Sequence, residues 1–171
     1  MANDTQDEAM LREYRATVHN LLLTGDSGIV ANSSSSHATI ILEEMIKSAQ
    51  MSFVASAEGM SATVWTDSVL RLLSEAKMRG VSVRLLVKDE CIPLVAGRLP
   101  ENLRECVRKA NNEQREGEFL NLAVVDNKAF RLEMDELEKR AAFCANMPEQ
   151  AGKMVRWFDS EFAEGSDCEA A

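Results

Sequence analysis

The stretch VLRLLSEAKMRGVSVRLLV, residues 69–87, decides the fold class. Its first half sets Val69, Leu72, Leu73 and Ala76 at helical spacing, and Gly80 follows where a left-handed residue ends a helix. VSVRLLV (81–87) is then rich in β-branched residues and dense enough in apolar ones for a strand covered on both faces. Upstream, Ile29–Ala31 reads as a short strand, and a helix follows from about 37 to 49, with Ile40, Ile41, Met45 and Ala49 on one stripe and Ser35 or Ser36 as its cap. MSFVASA (51–57) is the next strand. A second amphipathic helix spans 62–79, carrying Trp65 on its buried side. The order β-α-β-α-β predicts parallel strands joined by helical crossovers.

Downstream, Pro93, Gly97 and Pro100 break the pattern before a short helix around 101–110 and a polar loop, NNEQREGE. FLNLAVV (119–125) and KAFRLE (128–133) read as neighbouring strands, with Asp126 and Asn127 as a two-residue turn. RAAFCA (140–145) is a further strand, and Pro148 opens a final helix over 148–163 anchored by Val155, Trp157, Phe158 and Phe162. A helix over 7–22 precedes everything, with apolar Met10, Leu11, Tyr14, Val18 and Leu21. The expectation is an α/β fold with a mixed, mainly parallel β-sheet and helices on both faces. Its divisions are an N-terminal helix (1–25), the α/β domain (29–163) and a flexible tail (164–171).

With 171 residues, 46% of them hydrophobic and 27% charged, the chain is long enough to bury a core without a metal or disulfide. Lys and Arg number 19 against 28 Asp and Glu, a formal charge of −9. That balance argues against a nucleic-acid partner, which requires a basic surface to displace phosphate counterions. No run approaches 18 apolar residues, so no membrane span is expected, and the N-terminus has no basic-then-apolar leader. The cysteines Cys91, Cys106, Cys144 and Cys168 form no Cys-x-x-Cys pair, so neither zinc nor a disulfide framework is expected. A reduced, cytoplasmic compartment follows as the expectation.

ATIILEEMIKSAQMSFVASA (38–57), followed by VLRLLSEAKMRGVSVRLLV, resembles the first half of a phospholipase D-like domain. FLNLAVVDNKAFRLE (119–133) is similar to the strand pair that carries that superfamily's His-x-Lys-x-x-x-x-Asp motif, and the closing strand and helix resemble residues 140–162. The resemblance implies a single phospholipase D-like half-domain that pairs into a homodimer with the two motifs facing each other. Aligned on the closing aspartate, Asp126 takes the motif's Asp, Asn121 its phosphate-binding Lys and Phe119 its nucleophilic His. Phenylalanine offers no nucleophile and asparagine no positive charge. The resemblance therefore implies a domain with no catalytic residues and no cofactor, acting through a homodimer and another protein. By analogy of fold alone, bacterial regulatory or accessory modules are the setting.

Other chemistry has its own candidate residues. His37, behind the serine run 33–36, sits at a helix start, where anions bind. Ser35, Ser36, His37, Asn121 and Asp126 are therefore the candidate ligand-binding residues of a small-anion or nucleotide sensor, against a plain capping role. A metal-dependent phosphodiesterase or nuclease would need carboxylates converging from Asp89, Asp126 and Glu133, and the run Asp135, Glu136, Glu138 reads better as a solvated face. Glu43 and Glu44 are adjacent and so expected to point to different sides of their helix. Lys88, Asp89 and Glu90 read as a charged strand end. Trp65, Trp157 and Phe158 are candidate interface residues whose alternative is simple core packing.

Overall fold

The computed structural model describes residues 2–91, 95, 97–110, 118–135 and 140–167. Helix α1 (Ala2–Thr24) is followed by β1 (Ile29–Asn32), α2 (Ser35–Ser48), β2 (Ser52–Ala57), α3 (Asp67–Met78) and β3 (Ser82–Lys88). After a 3₁₀ segment at Glu101–Cys106 come β4 (Val107–Ala110), β5 (Leu122–Val125), β6 (Ala129–Asp135) and β7 (Arg140–Cys144). Helix α4 (Pro148–Glu164) and a two-residue β8 (Ser166–Asp167) close the described chain. The strands form one sheet in the order β1-β7-β6-β5-β2-β3-β4-β8.

The expected mainly parallel sheet is overturned. Among the described residues only β2–β3 and β3–β4 pair in parallel, while β1–β7, β7–β6, β6–β5, β5–β2 and β4–β8 are antiparallel. The reason lies in where β1 goes. A strand-helix-strand unit reports that two strands point the same way, but it does not make them neighbours. Here β5, β6 and β7 insert between β1 and β2, and each insertion brings antiparallel pairs. The expected helix at 101–110 is also corrected, because its second half is β4, whose Val107 and Ala110 are buried against β3. A four-residue strand with two buried ends carries no periodicity that separates it from a helical turn. Likewise β8 lies in the expected tail.

Strand alternation divides the interior into two layers. Phe53, Ala55, Leu85, Val87, Ala123, Val125 and Phe143 face α2, α3 and the inner side of α1. Val54, Leu86, Leu122, Val124, Phe130 and Cys144 face Phe158 and Ala151 of α4. Local signals place the boundaries. Ser34, rather than Ser35 or Ser36, caps α2, its Oγ accepting from His37 N at 3.1 Å. Thr66 caps α3, so Trp65 lies in the turn before the helix rather than on it, and it is buried. Gly80 does adopt a left-handed φ of 92°.

Helix α1 is clamped to α2 by charge. Arg15 donates through Nη2 to Glu43 Oε2 at 2.6 Å and through Nη1 to Glu44 Oε1 at 2.8 Å. Glu43 and Glu44 thus converge on one guanidinium instead of diverging, because its fork spans two neighbouring side chains. Glu44 also takes Lys47 at 2.8 Å and His19 at 3.1 Å. Desolvation pushes the Glu44 carboxyl up, but the bonds from Lys47, Arg15 and His19 outweigh it and hold the carboxyl below its ordinary range. A folded-state value below the unfolded one means that this contribution is complete above the ordinary glutamate value, about 4.3, and is lost as pH falls through the folded value. Thermal unfolding between neutral pH and pH 3 should therefore show a steeper acid loss in the native chain than in Glu44→Gln. Equal slopes would show that Glu44 carries no acid-linked stability.

Candidate functional site

The three positions that the sequence resemblance gives to the motif lie beside β5, and each side chain takes part in holding the fold. Phe119 precedes β5 and is 3% exposed. It meets Trp157 of α4 edge-on, with centroids 6.1 Å apart, and Lys88 Nζ lies 5.5 Å from its ring centre. Lys88 itself is ion-paired with Glu58. Asn121 accepts from Glu58 N through Oδ1 at 2.9 Å, and its carbonyl accepts from Glu133 N at 2.9 Å. Ser56 Oγ donates to the Leu120 carbonyl at 2.5 Å. These residues gather at the carboxyl ends of β2 and β3, where open sheets place their ligands. The basic side chain there faces a carboxylate and an aromatic ring.

Asp126 is at the opposite end of the sheet. Its Oδ1 accepts from Met51 N and Ser52 N, each at 2.8 Å, and its Oδ2 accepts from Gln50 N at 3.0 Å. The carboxylate fastens the β5–β6 turn to the start of β2. Both Asp126 and Asn127 are left-handed, with φ of 51° and 52°, a conformation that Asp and Asn tolerate better than other side chains. The turn has three residues rather than the expected two, because Val125 pairs with Ala129. Asn121 and Asp126 are five residues apart along one extended strand, roughly 17 Å.

That separation also disposes of a carboxylate cluster. Glu133 lies beside Asn121 and so at the far end of the hairpin from Asp126. Among the described residues no three His, Cys, Asp or Glu side chains are placed to hold a metal. Glu136 and Glu138 lie outside the described residues, as do Pro93 and Cys168; Cys91, Cys106 and Cys144 are free thiols. Of the interface candidates, Trp65 and Phe158 are buried in the two layers of the core, and Trp157 is half-buried. No described helix is long and apolar enough to cross a membrane.

Ser35 and Ser36 are exposed at the start of α2, and His37 stacks on Tyr14, with centroids 3.9 Å apart and planes within 14°. Burial pushes the Tyr14 phenol up to about 12, against the pull of nearby Arg131. Arg131 on β6 is the residue that reading the sequence missed. Alternation in KAFRLE puts Ala129, Arg131 and Glu133 on one face, but only the packing of α1 and α2 shows that this face is interior. Burial pulls the Arg131 guanidinium below its ordinary value, which Glu133, 3.5 Å from Nη2, offsets in part.

No protein-family model and no curated protein sequence matches the chain. Solved structures do. The phospholipase D family member Nuc from Salmonella typhimurium is similar at 18% identity and a TM-score of 0.61, over 83% of this chain and 98% of Nuc. NucT from Helicobacter pylori is similar at 11% identity and a TM-score of 0.57, over 83% of this chain and 98% of NucT. TrmBL2, an archaeal chromatin protein, is similar at 10% identity and a TM-score of 0.65, over 97% of this chain and 65% of TrmBL2. The chain has the phospholipase D-like fold. At these identities the likeness extends to the fold alone.

Proposed function

We propose that the chain is a non-catalytic phospholipase D-like domain serving as a regulatory or assembly module, working as a homodimer with a further protein partner. The observation that carries this reading is Phe119, a buried ring at the position that the sequence resemblance gives to the nucleophile. Its neighbour Lys88 is spent on Glu58 and the ring itself, and Asn121 is spent on the end of β2. The fold does not demand hydrolysis, since a chromatin protein carries it as well as a phospholipase D family member. The match to TrmBL2 spans 97% of the chain and so takes in α1, which supports treating the helix and the domain as one unit. TrmBL2 binds DNA, but a formal charge of −9 speaks against direct DNA contact here.

A surface for protein contacts is available at the amino ends of β2 and β3. Leu23 is 77% exposed and Met51 67%, and both line a cleft of about 780 Å³ that also includes Arg79, Asp126 and Lys128. We place the protein contact there because these two exposed apolar side chains share one cleft with charged neighbours that a partner could pair. Light scattering should give twice the 18.9 kDa chain mass, unchanged by divalent metal, nucleotide or short duplex DNA. Bis(p-nitrophenyl) phosphate should not be hydrolysed. A monomer would remove the assembly reading, and turnover that survives repurification would remove the non-catalytic one.

A further inference from the structure

Three side-chain polar atoms of the described residues are buried without a hydrogen-bond partner, and all three belong to one neighbourhood: Asn32 Nδ2, His37 Nδ1 and Arg131 Nε. Asn32 ends β1 and is 1% exposed. Its Oδ1 accepts from Ser34 N at 3.3 Å, which holds the amide against the cap of α2. Ser34 in turn caps His37 N, and the His37 ring lies on Tyr14. Tyr14 donates its hydroxyl to the Ala31 carbonyl at 3.1 Å and lies within electrostatic reach of Arg131. Arg131 is 9% exposed. Strand β7 joins the two sides, because its Ala141 pairs with Asn32 on β1 and with Glu133 on β6, two residues from Arg131.

The chemistry of these atoms has one sign. An amide nitrogen and a guanidinium Nε only donate, and an imidazole nitrogen donates in one tautomer. Glu133, the carboxylate paired with Arg131, reaches Nη2 and leaves Nε without an acceptor. The first turn of α2 adds N–H groups without intrahelical partners and the positive end of its dipole. Buried donors left unmade are costly, and one acceptor between the start of α2 and the Arg131 side of Tyr14 would relieve them together. We infer that Asn32, His37, Arg131 and the first turn of α2 form a binding site for a small oxyanion, a phosphate or carboxylate group, with Tyr14 as its wall and the exposed Ser35 and Ser36 at its mouth. The site stands apart from Phe119 and Lys88, and it holds whether or not the domain works by assembly.

The test follows the Arg131 Nε–H resonance by ¹H–¹⁵N correlation while inorganic phosphate or acetate is added at constant ionic strength, with sodium chloride as the control. A saturable shift with phosphate, acetate or both is expected, and the tighter of the two names the group recognised. Asn32→Asp places a carboxylate among the donors and should weaken binding roughly tenfold or more. Arg131→Met, followed by calorimetry, should do the same, and because it leaves Glu133 without its partner it should also lower the melting temperature. Should either variant fail to fold, the wild-type titration decides alone. The site is disproved if neither anion gives a saturable shift, if chloride moves the resonance equally, or if folded variants bind as tightly as the wild type.

Discussion

Phe119→Ala is expected to lower the unfolding free energy by about 3–5 kcal/mol, the range for removing a buried aromatic ring. Phe119 fills the space between the end of β2, Lys88 and Trp157. Its removal opens a cavity and strips Lys88 of its aromatic neighbour. Urea unfolding should show a lower midpoint at an unchanged slope. Phe119→His together with Asn121→Lys should not create a phosphodiesterase. The lysine would take away the acceptor of Glu58 N, and the imidazole would enter a packed position rather than an open cleft. A loss below about 1 kcal/mol for Phe119→Ala would show that the ring is peripheral and would remove the packing role on which the non-catalytic reading rests.

The second large effect is expected at Asp126. One carboxylate accepts from the backbone N–H groups of Gln50, Met51 and Ser52. Asp126→Ala removes all three acceptors at once and puts a β-carbon without a polar side chain at φ 51°. Water reaches part of this turn, so the loss should be about 2–4 kcal/mol rather than the sum of three charged bonds. Asp126→Asn keeps the left-handed tolerance and one acceptor oxygen, and should cost about half as much. Equal losses in the two variants would assign the effect to charge alone. Negligible losses would show that the turn holds to β2 without the carboxylate.

The legibility of this fold and site varied with the kind of signal. VSVRLLV and MSFVASA were readable as strands because both faces of each are covered over most of their length, and dense apolar runs record that directly. The β5–β6 turn was readable from Asp126 and Asn127, since left-handed residues draw on few side chains. The 101–110 segment was not readable, because four residues of strand carry too little pattern to outweigh a helical start. Phe119 and Asn121 are visible in the sequence as residues without a nucleophile or a charge, by identity alone. Arg131 could not, since an arginine in an alternating strand looks like a solvent-facing residue until a helix is known to cover that side.

Local periodicity, capping chemistry and side-chain identity are enough for most of the elements and their limits, and for the absence of a nucleophilic side chain at Phe119 and of a charge at Asn121. Only the assembled fold sets β1 at the far edge of the sheet beside β7, joins Glu43 and Glu44 to one arginine, and buries polar atoms of Asn32, His37 and Arg131 without partners. Strand neighbours are chosen by long-range pairing that no local pattern encodes. Burial of a charge is likewise a property of what packs over it, which only the assembled layers supply.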